Sequence, residues 1–397
     1  GTTDVDGPGG GAIASQGWDF GTAAPGGTND YLFGGAFGES VELTVSLNWF
    51  AGRSFDMDTN LGSNLSFADL NLEVWEVSDG SFNSLVASSS SVFNNAEYLR
   101  LDLAGDKRFG LRVVFDGMVF DQTGGVTAES YGLAWLAKPY TKLYWNGGAV
   151  SGGWNGITDS WNASPPGTNA PTAAVTTGMD QLFIAPASTN ALSIVIDGQQ
   201  MARSINVEEG AVTFTGINGA AVNLQNGGLS LGVGADGNAT LASSVSLLIS
   251  GNQVWNNASA FDLSVGSAVT GQGSLGFRNT GTGSIVLSGA LNSAGALTNS
   301  GSGSGTTSIS GAIGKNVTGV TQNSATSRLI LAGTNTYTGN TTVAEGELTV
   351  TGNISASSQT TVEEGGTLSG SGTVGDTIIL AGGTGSPGNS PGTMTVE

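Results

Sequence analysis

The chain has 397 residues, 66 of them glycine, with no cysteine, no histidine and a formal charge of −20. These counts exclude a disulfide framework, thiolate chemistry, histidine-based triads and the usual zinc sites. The acidic balance disfavours nucleic acid and anionic membrane surfaces as partners, since both recruit Lys/Arg clusters, and no apolar run approaches the ~20 residues of a membrane span.

So much Gly, Ser, Thr and Asn would suit a disordered chain, but the hydrophobic residues, 38% of the total, fall in alternation, which predicts many short strands. Residues 1–17 read as a Gly/Asp/Pro-rich lead. From Trp18 the character changes: seven of the eight tryptophans and seven of the eleven basic residues precede position 165. Alternation marks strands at 41–49, 70–77, 85–87, 98–103, 109–115 and 131–135. About eight strands at turn-rich intervals predict an antiparallel, jelly-roll-like β-sandwich over 18–137, with no helix.

Within it, Asp56, Asp58 and Asn60 begin like a calcium loop, with oxygen donors at positions 1, 3 and 5. Position 6 is Leu61 rather than Gly and position 12 is Phe67 rather than Glu, so a solvated loop is the plainer reading. No cofactor is expected, Ca2+ at this loop being the one alternative.

Residues 138–180 form a connector in which Trp145, Trp154 and Trp161 are each followed by Asn. Three tryptophan faces suit a carbohydrate platform, but an aromatic plug over the open first coil of a stacked fold is the plainer reading. From 181 to 397 the chain is strand and turn. Period-2 runs of three to five residues, broken by Gly and Asn, predict a right-handed parallel β-solenoid of roughly 20 residues per coil. The form Val-x-Glu-Gly recurs at 207–210, 343–346 and 362–365. Glu345 and Glu364 then fall one coil apart, a spacing that matches a retaining glycosidase pair but that an exposed turn also tolerates. The glycine stretches at 227–234 and 281–283 lack a following helix or Lys and read as corners rather than phosphate loops.

Residues 329–350 carry a Leu-x-Leu-x-Gly strand, then Asn-Thr-Tyr-x-Gly-x-Thr-x-Val, then Gly-x-Leu-x-Val. This resembles the autotransporter-associated β-strand repeat of bacterial surface proteins, and the Pro-Gly-Asn-Ser-Pro-Gly run in 386–396 resembles a coil common in such passengers. The resemblance implies a scaffold on a bacterial surface more than an activity. The strand order over 18–136 is similar to the sandwich that follows the catalytic domain in secreted subtilisin-like peptidases, which would place a peptidase upstream. Three functions are therefore expected: an extracellular, non-catalytic structural or adhesive protein; a polysaccharide-binding module; or an accessory region of a secreted precursor. The chain begins without Met and stops in mid-pattern, which suggests a processed piece. An exposed final coil edge would favour a homo-oligomer or fibre, with the 1–17 lead of another copy pairing there or folding back on its own sandwich.

Overall fold

The computed structural model describes residues 11–59, 61–122, 124–148, 151–165, 170–172, 175–185, 191–388 and 392–397. The chain divides between Tyr140 and Thr141 into two units, and no described residue lies in a helix.

The first unit is a β-sandwich of ten strands among the described residues: β1 (Ala12–Ile13), β2 (Gln16–Ala23), β3 (Thr28–Phe33), β4 (Val41–Trp49), β5 (Gly52–Asp56), β6 (Leu61–Ser78), β7 (Ser81–Ser89), β8 (Ala96–Leu103), β9 (Arg108–Asp121) and β10 (Glu129–Pro139). One sheet has the order β2-β10-β4-β8; the other runs β1-β3-β9-β6, with β5 and β7 pairing successive halves of β6. Every pairing is antiparallel except the short one between β1 and β3. Alternation explains the core. On β4, Val41, Leu43, Val45, Leu47 and Trp49 face inward, and on β6 and β9 the buried residues include Leu70, Leu72, Leu111 and Val113.

Strand β2 inverts this pattern. Its inward residues are Gly17, Asp19, Gly21 and Ala23, while Trp18 and Phe20 point out. The large inward residues of the neighbouring β10 require it. Trp135 lies opposite Gly17 and Tyr131 opposite Gly21, and a Cβ at either glycine would come within 2.5 Å and 2.4 Å of those rings. Asp19 survives burial through a hydroxyl network: Tyr31 donates to its Oδ2 at 2.6 Å, Tyr31 and Tyr131 share a 2.7 Å hydrogen bond, and Asn29 donates to Tyr131. The lead expected over 1–17 is therefore part sandwich: Ile13 is buried, Trp135 donates its indole N–H to the Ala14 carbonyl, and β2 starts at Gln16. Residues 1–10 lie outside the described residues.

The second unit is a β-solenoid with three parallel ladders. One can be followed rung by rung from Ser151 opposite Ser193, through Thr213, Ser264 and Thr349, to Ser386, eleven rungs in all. At ~4.8 Å per rung this unit is about 50 Å long. Mid-solenoid the repeat is regular: Leu263, Ile285, Thr307 and Leu329 are successive partners, each 22 residues after the last, and the step then shortens to 19 at Leu348. The expected connector is already solenoid, because Thr141–Trp145 pairs in parallel with Asp180–Ile184 and Ser151–Trp154 with Leu192–Val207.

The residues 329–350 contribute one coil, with Leu329, Leu331, Tyr337, Val343, Leu348 and Val350 all buried. The Val-x-Glu-Gly motif is a corner: Val207, Val343 and Val362 point in, and Gly210, Gly346 and Gly365 take φ of 73°, 68° and 82°, where a side chain would be strained. Polar residues also enter the interior. Asn257, Asn279, Asn299 and Gln322 are buried; Asn299 donates to Gln322 Oε1 and to the Ser327 carbonyl, and Gln322 donates to the carbonyls of Ser324, Ser327 and Glu345. Asn257, Asn299 and Gln322 thus satisfy main-chain carbonyls where the chain turns between strands, while Asn279 donates to the Thr307 and Ser327 hydroxyls.

Candidate functional site

Trp145, Trp154 and Trp161 do come together, as a buried cluster. They are 3%, 0% and 0% exposed, and Trp161 packs edge-on against both others, with ring centroids 5.2 and 5.5 Å away. Trp145 donates to the Gly148 carbonyl and Trp154 to Thr176 Oγ1. A sugar ring stacks only on an open aromatic face, and these faces are closed by one another and by the coil's aliphatic residues. The carbohydrate platform read into them is thus absent at that place; the cluster fills the first coil.

An open aromatic surface lies instead on the outer face of the β2-β10-β4-β8 sheet. Trp18, Phe20 and Tyr98 are 41%, 63% and 56% exposed. The registers put Trp18, Ala134, Ser46 and Tyr98 in one row across the four strands, and Phe20, Gly132, Asn48 and Ala96 in the next. At ~4.8 Å between strands, Trp18 and Tyr98 stand about 14 Å apart over a floor of small residues. Asn48 donates to Ser46 Oγ at 3.0 Å on that floor. Both rows are uncharged. Charge begins in the row next to Trp18 and Tyr98, where Arg100 reaches on to Glu42 at 2.8 Å, a contact that raises the guanidinium pKa. The other sheet offers no comparable opening at Trp75: Arg112, held bidentately by Asp30 at 2.7 and 2.9 Å, covers both Trp75 and Phe82. Sequence reading overlooked the Trp18 face because aromatics on a strand are first assigned to the core; the signal was Gly17 and Gly21 alternating with them.

The calcium-loop residues behave as a turn. Asp56 Oδ1 accepts from the main-chain N–H of Asp58 and Thr59, and the first of these chiefly lowers the Asp56 pKa. Asn60 lies outside the described residues. Glu345 and Glu364 are both exposed beside the corner glycines. Among the described residues no three Asp, Glu, His or Cys side chains gather as a metal site, and no helix is long and apolar enough to cross a membrane.

No family model matches the chain, and no curated protein matches it. The resemblance of residues 329–350 to the autotransporter-associated repeat therefore remains one of motif. Among solved structures, a similar one is the pre-peptidase C-terminal domain of a collagenase from Bacillus anthracis, at 10% identity and a TM-score of 0.21, covering 34% of this chain and 96% of that domain. At that level the likeness carries no argument about fold or function.

Proposed function

We propose that the chain is a secreted, non-catalytic scaffold of a bacterial surface, of the passenger type that its repeat resembles. The observation that carries this reading is the unbroken ladder from Ser151 to Ser386, whose interior is spent on stacking one coil on the next. Its outward row is largely Ser and Thr, which solvates a long surface without creating a reaction centre. A screen of the purified chain against peptidase, esterase and glycosidase substrates should show no turnover. Turnover abolished by Glu345→Gln would overturn the reading.

The outer sheet face of the sandwich favours a second, adhesive reading. Two exposed rings on one cross-strand row, with small and amide residues between them, suit a neutral polysaccharide chain laid across the strands. Neutral is the operative word, because the rows carry no charge while the chain's −20 repels anionic polymers. Pull-down on insoluble neutral glucans, chitin and mannan should retain the wild type and release a Trp18→Ala/Tyr98→Ala variant, with Trp154→Ala acting on stability instead. No retention of the wild type removes this second reading and leaves the scaffold untouched. The accessory-region alternative is decided by the gene upstream of Gly1, through the presence or absence of a subtilisin-like catalytic domain.

A further inference from the structure

On β6, Ala68, Leu70 and Leu72 fill the sandwich core, so Asp69 and Asn71 occupy the opposite side of the strand. Side chains there ordinarily reach water. Asp69, however, is 9% exposed, and both its Oδ1 and the Asn71 Oδ1 are buried with no hydrogen-bond partner. A dry acceptor forfeits its hydration with nothing in return, and a carboxylate forfeits most. Two such oxygens, two residues apart on one face of one strand, call for a shared partner.

The neighbouring strand β9 adds a third oxygen donor. Its register against β6 slips here: Asp69 lies opposite Gly117 while Leu70 lies opposite Phe115, so Asp116 is the inserted residue of a bulge. A bulge sets two residues against one and re-aims the inserted side chain. Burial, and after it the Asp116 carboxylate, raise the Asp69 pKa, as expected where negative charge is concentrated without compensation.

We propose that Asp69, Asn71 and Asp116 bind a divalent cation, Ca2+ by preference. The donors are two carboxylates and an amide carbonyl, and the chain has no His or Cys to attract a softer metal. Ca2+ takes about 6–8 oxygens at roughly 2.3–2.6 Å in adaptable geometry, so waters and main-chain carbonyls of the bulge complete the shell. The ion supplies the positive charge that the orphaned oxygens lack. It also pins the register of β6 on β9, which runs from Ser66 to Val77 and joins the two longest strands of the sandwich. This site is separate from the Asp56 turn, whose carboxylate is occupied by main-chain N–H groups.

The test is calorimetric titration of the full chain with Ca2+ alone, paired with thermal unfolding in calcium and in chelator. The wild type should bind Ca2+ and melt at higher temperature in its presence. Asp69→Asn and Asp116→Asn should each weaken binding by about tenfold or more and lose the calcium-dependent shift, while Asp58→Asn keeps both. Asn preserves the shape of Asp, and in chelator Asp69→Asn should melt at or above the wild-type temperature, which separates lost binding from lost folding. An absence of Ca2+ binding by the wild type, binding unchanged in both the Asp69 and Asp116 variants, or binding lost in Asp58→Asn would each overturn the assignment.

Discussion

Asp19 shows how far one residue's surroundings can depart from its chemistry: a carboxylate on an inward position, tolerable because the Tyr31 hydroxyl donates to it and Tyr131 extends the chain. The tyrosines answer to the same burial. Burial raises the pKa of both Tyr31 and Tyr131, and in the solenoid it pushes Tyr337, bonded to Thr341, up to about 12 from 10.0. Unfolded, these hydroxyls ionise near 10. Their contribution to stability is therefore whole below pH ~10 and is lost as pH rises toward 12, because only the unfolded chain gives up its protons in that window. Denaturant midpoints measured from pH 9 to 12 should fall steadily, and Tyr337→Phe should flatten the part of that fall belonging to the solenoid. At Gly21 the constraint is space. Gly21→Ala drives a methyl into the Tyr131 ring at 2.4 Å, and an overpacking loss of about 1–3 kcal/mol is expected by chemical denaturation.

A strand is held by the face it buries, and the solenoid and sandwich differ in how they hold it. In the solenoid each coil's inward row lies on the next: Leu329, Leu348 and Leu368 are successive partners and all are buried. Leu348→Asp places an unpaired charge between two leucines, and a destabilisation of about 3–5 kcal/mol should appear as a lowered melting temperature of that unit. The interior amides impose a second requirement. Asn299 accepts from Thr307 and donates to Gln322, so Asn299→Leu strands both partners and should cost ~1–3 kcal/mol despite adding apolar volume. In the sandwich, β2 is held by its neighbour's side chains rather than its own, since Trp135 and Tyr131 fill the space its glycines leave.

At the scale of the molecule, the boundary between Tyr140 and Thr141 puts four tryptophans, Trp18, Trp49, Trp75 and Trp135, in the sandwich and four, Trp145, Trp154, Trp161 and Trp255, in the solenoid. Concentration of nearly all tryptophan in an N-terminal part, as composition alone suggests, does not describe the folded units. Expressed separately, fragments ending at Tyr140 and beginning at Thr141 should both be β-rich, and both should lose tryptophan fluorescence intensity or shift to the red on unfolding. An unfolded N-terminal fragment would mean that the sandwich depends on the solenoid. Trp154→Ala should lower the solenoid transition by about 3–5 kcal/mol while sparing the sandwich, because the ring is wholly buried in the first coil.

Local alternation made the all-β class, the solenoid and most sandwich strands legible, because a strand with one buried face writes a period of two into its own residues. Val41–Trp49 and the coil at 329–350 are the clearest cases. The Val-x-Glu-Gly corner was legible for a similar reason, since a left-handed turn selects glycine locally. What alternation cannot report is which side a row faces once a neighbour decides it. Trp18 and Phe20 are outside because Trp135 and Tyr131, more than a hundred residues later, occupy the inside, and Trp154 is inside because a coil closes over it. Asn279 and Gln322 are buried because their amides meet partners that other segments bring, the Thr307 and Ser327 hydroxyls for Asn279 and the Ser327 and Glu345 carbonyls for Gln322. Asp69, Asn71 and Asp116 become neighbours only through the register and bulge of two paired strands. Periodicity belongs to a segment and could be read from it; the choice of face, the pairing of distant oxygens and the open aromatic row belong to contacts between segments, which only the tertiary structure decides.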